Sequence, residues 1–416
     1  MTYTANDRII FHPFTAQVEG DSVVLGRPDT GTFLSVPADA LEVLQGLEKG
    51  MTVGEVQGAF REKHGETPEM DEFLDYLASK GFLRKAGAGE SRPEPGEAPA
   101  APRPGEVRGP ETRYHFANIP ESFARKLFGP PALTLYAGVV ALALFAIWRD
   151  PSLVPGRDAL YFTDNRIFKV LGFAAFVYGT LFIHEMAHLL AARAVGVKSR
   201  MGISHRLWFL VAETDLTGLW GVPRRQRYLP LLAGSLSDVV SLSVLFLLFG
   251  LQKRGLLAIH PDILDILRAG CFMYFIRLIW QTYFYVRTDY YYVITTFFGC
   301  KNLLKDTEAF LKDKAARWLP FVKRVDLSHI PAEEMRIVRG YCVIWIVGRC
   351  IAFSMLFLVS IPVLSRYVIE LSRTLISTRA VVEFVDALVT LLVLVVPLAA
   401  GFILWIRSLT QSWRRA

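Results

Sequence analysis

A chain of 416 residues that is 52% hydrophobic, with a mean hydropathy of +0.32, is too apolar for an ordinary soluble enzyme and fits a membrane protein with a soluble part. Its net charge of +7 comes without a run of basic residues interleaved with aromatics, so no nucleic-acid partner is expected and a positive-inside loop bias is favoured. The cysteines Cys271, Cys300, Cys342 and Cys350 have no Cys-x-x-Cys spacing; they read as small apolar fillers and do not report a redox compartment.

The opening MTYTANDRII has no basic stretch followed by an apolar core, so a signal peptide is not expected and the N-terminus is placed in the cytoplasm. Residues 1–86 read as a small soluble α+β domain. The runs TAQVEG, SVVLGR and GTFLSV are β-forming and are broken by turn signals at Gly20-Asp21 and Pro28-Asp29-Thr30-Gly31. Three helices follow. The first begins near Pro37. The second opens on the capping-box pattern Thr52-x-x-Glu55, and the third has Pro68 at its first turn and Gly81 past its end. Phe73, Leu74, Leu77 and Phe82 are spaced as an inward stripe, and the whole reads as a winged-helix-like module.

Residues 87–112, rich in Pro, Gly, Glu and Ala, cannot bury a core and read as a flexible linker. Residues 113–416 read as a multi-pass α-helical membrane domain of about six spans, near 131–148, 167–195, 229–251, 264–297, 337–365 and 380–406, each long enough for ~30 Å of hydrocarbon. Basic residues cluster in the loops near 196–228 (Arg224, Arg225, Arg227) and 298–336 (Lys301, Lys305, Lys312, Lys314) and in the tail (Arg414, Arg415). Both termini on the cytoplasmic side satisfy the positive-inside rule. Arg277, Gln281, Arg287 and Asp289 interrupt the fourth span, which predicts a kink or a polar cavity there.

The second span holds TLFIHEMAHLL. His-Glu-x-x-His on a helix places His184 and His188 one turn apart on one face, as two Zn²⁺ ligands, with Glu185 beside the metal as general base for hydrolysis. An ionisable trio within a membrane helix is functional by default. The third ligand comes from elsewhere, with Asp215, Asp238, Asp289 and His205 as candidates. His188 lies about seven residues, or ~10 Å, from the cytoplasmic end of its span. Asp238 and Asp289 lie at similar depth and are tied on this argument, whereas Asp215 and His205 would have to fold back from the loop.

These residues resemble the site-2 protease superfamily, in its bacterial peptide zinc metalloprotease branch. The similarity rests on His184-Glu185-Met186-Ala187-His188, on TDLTGLWGVPRRQRYLPLLAG, and on VRTDYYYVITTFFGCKNLL, and it covers most of 113–310. The resemblance implies one Zn²⁺ per chain with Asp289 as its third ligand. The chain departs from the family pattern at Ala187, usually Gly, at Ser235, usually Pro, and at Gly218, often Asp; the Asn-Pro upstream of the third-ligand Asp is missing. The N-terminal HPFTAQVEGDSVVLGRPDTGTFLSVPADALEVLQGL, TVGEV and FLDYLASKGFL are similar to PqqD-like peptide-recognition modules. That resemblance implies a peptide held by β-addition, in a groove of Thr32, Phe33, Leu34, Ser35 and Val36 against Asp71, Leu74, Asp75 and Ala78.

The expected activity is that of a zinc metalloendopeptidase of the bacterial inner membrane. It would cleave a peptide or membrane-protein substrate, captured by the first domain, in ribosomal peptide maturation. The alternatives are a non-proteolytic zinc-binding membrane partner in transport, immunity or signalling, and a regulatory intramembrane protease. A binder would fill the fourth metal position with a protein side chain, His205 being the candidate. Arg287 is a candidate for steadying an anionic intermediate or pairing with Asp289, and Arg349 and Asp386 are expected to form an ion pair. His12, His64, His115, His260 and His329 are isolated and read as surface or core positions.

Overall fold

A computed structural model describes residues 3–20, 22–27, 30, 32–85, 119–162, 164–206, 209–300, 302–320, 323–328, 330–378 and 380–413; side chains are not described at 84, 85, 203–206 and 209–213 or at most positions from 397 onward. The expected linker 87–112 and most of the expected turn 28–31 lie outside the described residues. The chain divides into two compact units.

The first unit comprises residues 1–117, 197–200 and 215–227. Strand β1 (Ile9–Phe11) pairs antiparallel with β5 (Leu83–Lys85), and β2 (Thr15–Glu19), β3 (Ser22–Arg27) and β4 (Thr32–Pro37) form an antiparallel meander in that order. Glu19 faces Ser22 across a two-residue turn in which Gly20 takes φ 58°, the left-handed geometry that such hairpins need. Helices α1 (Ala40–Glu48), α2 (Val53–His64) and α3 (Met70–Ser79) follow. The Thr52–Glu55 capping box is formed, with the Glu55 amide donating to Thr52 Oγ1 (3.3 Å) and the Thr52 amide to Glu55 Oε2 (2.8 Å). Pro68 stands before α3 rather than in its first turn. Val23, Leu25, Leu34 and Val36 of the sheet pack on Leu44, Leu47, Leu74, Leu77 and Phe82 to form the core. A 3₁₀ turn, Thr217–Gly221, also packs on the sheet, where a side chain at Gly221 would press on Phe33 and Thr15. Arg227, expected as a loop charge, is buried: it is ion-paired with Glu19, stacked over Trp220 at 5.1 Å, and donates to the Val222 and Trp220 carbonyls.

The second unit is mainly helical. It contains α4 (Glu121–Leu127), α5 (Pro130–Arg149), α6 (Arg166–Ala194), most of the hairpin β6 (Arg200–Arg206) and β7 (Phe209–Asp215), most of α7 (Arg224–Lys253), α8 (Pro261–Trp280), α9 (Asp289–Phe298), α10 (Leu303–Ala315), α11 (Ala332–Met355), α12 (Ile361–Ser377) and α13 (Val381–Trp413). Among the described residues, four helical stretches are long and apolar enough to cross a bilayer: Glu121–Arg149, Arg166–Ala194, Arg224–Lys253 and Ala332–Ser377. Leu135, Leu142, Phe145 and Trp148 stand exposed along α5, as on a lipid-facing helix.

Two sequence expectations change here. The segment 264–297 is not one helix but α8 and α9 separated by an irregular stretch, 281–288. The pair Arg349–Asp386 does not form. Asp386 instead faces Arg166 (3.5 Å) and accepts the Ile167 amide (2.8 Å), while Arg349 lies against aromatic rings. Arg166 sits in the first turn of α6, where Asp386 reaches both its guanidinium and the unpaired amide that every helix start leaves open. Lys169, fully buried in α6, is met by Asp164 (2.8 Å), Asp265 (2.8 Å) and Asp262 (3.3 Å). Buried cations are tolerated on such terms.

Candidate metal centre

The i, i+4 spacing in α6 turns His184 and His188 to one side, and both rings are buried. Their outer nitrogens are already engaged. His184 Nδ1 donates to Asp238 Oδ2 of α7 (2.9 Å), and His188 Nδ1 donates to the Pro230 carbonyl (2.7 Å). A neutral imidazole that donates from Nδ1 keeps a lone pair on Nε2. Both Nε2 atoms therefore face inward, 3.2 Å apart, and Asp289 Oδ2 completes a triangle at 3.4 Å from His184 Nε2 and 3.3 Å from His188 Nε2. The edge of a tetrahedron with metal–ligand bonds of ~2.0–2.1 Å is about 3.3 Å, so one ion fits all three donors without rearrangement. No fourth His, Cys, Asp or Glu joins this group among the described residues. The fit extends to charge. Among the described residues, Glu185, Asp238 and Asp289 bring three carboxylates to the centre and Arg277 pairs with Asp238, so a divalent cation suits the charge of the site.

The surroundings explain how the triangle is held. Arg277 of α8 grips Asp238 through Nε (2.8 Å) and Nη2 (2.6 Å), so that Asp238 orients His184 rather than joining the donor set. Gly234 of α7 leaves the room, since a Cβ there would overlap the Nε2 atoms of both histidines. Asp289 opens α9 behind the N-cap Thr288, whose hydroxyl donates to the Gln281 carbonyl (2.9 Å). The Gln281 side chain donates to Asp289 Oδ2 (2.8 Å) and accepts the Asp289 amide (3.1 Å). Glu185 is buried beside His184, and its carboxylate accepts a hydrogen bond from Thr214 Oγ1 (2.8 Å).

The remaining sequence candidates fall elsewhere. Asp215 is bound to the Thr217 hydroxyl (2.5 Å), the Thr217 amide (3.1 Å) and Arg200 (3.0 Å). Burial pushes its carboxyl up, but those bonds outweigh it and hold it below the ordinary carboxylate range. The side chain of His205 lies outside the described residues. Arg287 is exposed, and Asp289 meets Gln281 and the two histidines. In the expected peptide groove, Leu34, Val36 and Leu74 belong to the core, Asp71 accepts the Tyr3 amide (3.1 Å), and Phe33 is partly covered by the Gly221 turn. Ala78 packs against the core, Thr32, Ser35 and Asp75 remain outside it, and β4 is an edge strand of its sheet. Gly234, Pro230 and Thr214 all lie in the stretch TDLTGLWGVPRRQRYLPLLAG that carries the resemblance, but the sequence assigned none of them a role at the metal.

Comparisons of the chain with protein-family models, with curated proteins and with solved structures found no match. The functional reading therefore stands on the donor triangle and its supports.

Proposed function

We propose that this chain is an intramembrane zinc metallopeptidase similar to the site-2 proteases, and that it hydrolyses a peptide bond in a peptide or membrane-associated substrate. The observation that carries the reading is the triangle of His184 Nε2, His188 Nε2 and Asp289 Oδ2, with edges of 3.2–3.4 Å and both Nδ1 atoms occupied. Two neutral imidazoles and a carboxylate suit zinc better than a hard, oxygen-seeking ion. When bound, zinc polarises the scissile carbonyl and makes a coordinated water more acidic.

The chain's own residues supply the proton path. Glu185, one residue from a metal ligand and held by a neutral hydroxyl rather than a cation, takes a proton from the attacking water. The water oxygen bonds to the carbonyl carbon, the C–N bond breaks, and Glu185 passes the proton to the leaving amine. Asp238 and Arg277 keep His184 in the tautomer that leaves Nε2 free. In the same reading the chain crosses the bacterial inner membrane about six times with both termini cytoplasmic. The N-terminal PqqD-like module offers the edge strand β4 to a precursor peptide, raising its concentration at the membrane site during peptide maturation.

Replacing Glu185 with Gln tests this. Zinc content by elemental analysis should stay at one per chain, while cleavage of a co-expressed precursor falls by roughly 10²–10⁴-fold, the worth of a general base. Full processing by Glu185→Gln would overturn the assignment, and a chain purified without zinc would overturn the metal site on which it rests.

A further inference from the structure

Lys169, Arg166 and Arg277 each face carboxylates within the second unit. Arg349, in the apolar stretch Ala332–Ser377 that is long enough to cross a bilayer, faces none among the described residues. Its guanidinium lies 4.3 Å from the ring centre of Tyr285 and 4.5 Å from that of Trp345, and its Nε is buried without an acceptor among the described residues. Trp345, one helical turn earlier, likewise holds its indole Nε1 buried without an acceptor. Two donors without acceptors, four residues apart on one helix, with a full positive charge and no anion beside them among the described residues, are costly in a membrane segment. Aromatic faces offset part of that cost and fix the guanidinium plane, but they leave its hydrogen-bonding capacity unused.

The position of this cation is defined. Gly348 lets α11 touch the backbone of 282–284: a Cβ there would lie 2.9 Å from Phe284 N and from Thr282 O. Tyr341 of the same helix donates to the Phe284 carbonyl (2.6 Å). Arg349 is thereby held against the very segment, 281–288, that ends at the metal-facing Asp289. Tyr285 and Asp289 are four residues apart, so their Cα atoms are at most about 15 Å from each other. An extended peptide of four or five residues covers such a distance at ~3.3 Å per residue.

We propose that Arg349 is a substrate-recognition residue, binding a carboxylate of the substrate peptide within about five residues of the bond cleaved. Arg349 is half-buried, so the ends of its guanidinium are reachable while Nε is closed off. A carboxylate would accept from the guanidinium in the paired geometry that favours Arg over Lys. This specifies a substrate class for the site of the preceding section and rests on that reading for the peptide, though not on turnover.

The test measures binding. The full chain carrying Glu185→Gln, in detergent, is titrated with labelled Ala/Leu hexapeptides bearing Glu or Gln at each position in turn, with free or amidated C-termini, before and after metal removal by a chelator. We expect one carboxylate position to bind roughly 10–100-fold more tightly than its neutral counterpart, with the difference lost in Arg349→Gln and partly kept in Arg349→Lys. The preference should survive chelation, which separates this claim from the metal assignment. Absence of any carboxylate preference, its persistence in Arg349→Gln, or its loss on chelation would each overturn the proposal. So would phosphatidylglycerol that co-purifies with the parent chain and is lost from Arg349→Gln, which would assign the cation to a lipid phosphate. If Arg349→Gln fails to fold, Arg349→Lys carries the test: a reduced preference supports the site, and an unchanged one overturns it.

Discussion

The most exacting residue of the candidate centre is one with no side chain. Gly234 lies where any Cβ would intrude on both histidine Nε2 atoms. Gly234→Ala should therefore abolish zinc binding while leaving α7 helical, because alanine is the better helix former by roughly 1 kcal/mol. Elemental analysis together with circular dichroism would show metal lost and helix kept. Asp238 and Asp289 separate in the same way. Asp289→Ala removes a donor and should empty the site, whereas Asp238→Asn removes only the charge that orients His184 and should weaken zinc by roughly 10–100-fold. Competition with a chelator ranks the two; an equal loss in both would mean that Asp238 is itself a ligand. At this scale the sequence was informative in part. The four-residue spacing of His184 and His188 declares a shared face, but nothing local tells Asp238 from Asp289. That distinction depends on Arg277, a turn of helix before Gln281, taking Asp238 for itself.

Among the elements, the irregular stretch 281–288 decides the site. Bent backbone in a membrane domain needs internal partners. Thr282, Tyr283, Val286 and Thr288 amides find carbonyls nearby, Thr288 Oγ1 takes the Gln281 carbonyl, and Tyr341 takes that of Phe284. Polar residues scattered through an apolar run signalled a disturbance here, yet periodicity alone read one long span, because the apolar pattern resumes in α9 with Tyr290-Tyr291-Tyr292-Val293-Ile294. Tyr341→Phe leaves the Phe284 carbonyl without its donor at a cost of about 1–3 kcal/mol. It should speed zinc loss to a chelator by several-fold while the ligand set is untouched, and Gly348→Ala, which drives a methyl group into the same backbone, should speed it more. Unaltered release rates in both would show that Asp289 is held by Gln281 alone.

At the scale of the molecule, hydropathy made the membrane character legible, but not the packing of the helices, since an apolar face reads the same toward lipid as toward a neighbouring helix. The first unit was readable for the opposite reason. Its hairpin turn, capping box and alternating strands are local signals, each fixed by a few adjacent residues. The division into two units also has an experimental consequence. His184, His188 and Asp289, together with Asp238, Arg277, Gln281 and Thr214, all belong to the second unit. Deleting residues 1–86 removes Glu19, leaving Arg227 without the carboxylate that neutralises it, so some loss of stability near 215–227 is expected. It removes no donor and no support of the metal triangle. The truncated chain should thus retain one zinc, measured by elemental analysis, and cleave a short synthetic peptide at high concentration about as well as the full chain. It should lose the advantage on a dilute precursor that carries its leader, since tethering acts through effective concentration. Loss of zinc on truncation would instead mean that the first unit is required to build the metal centre.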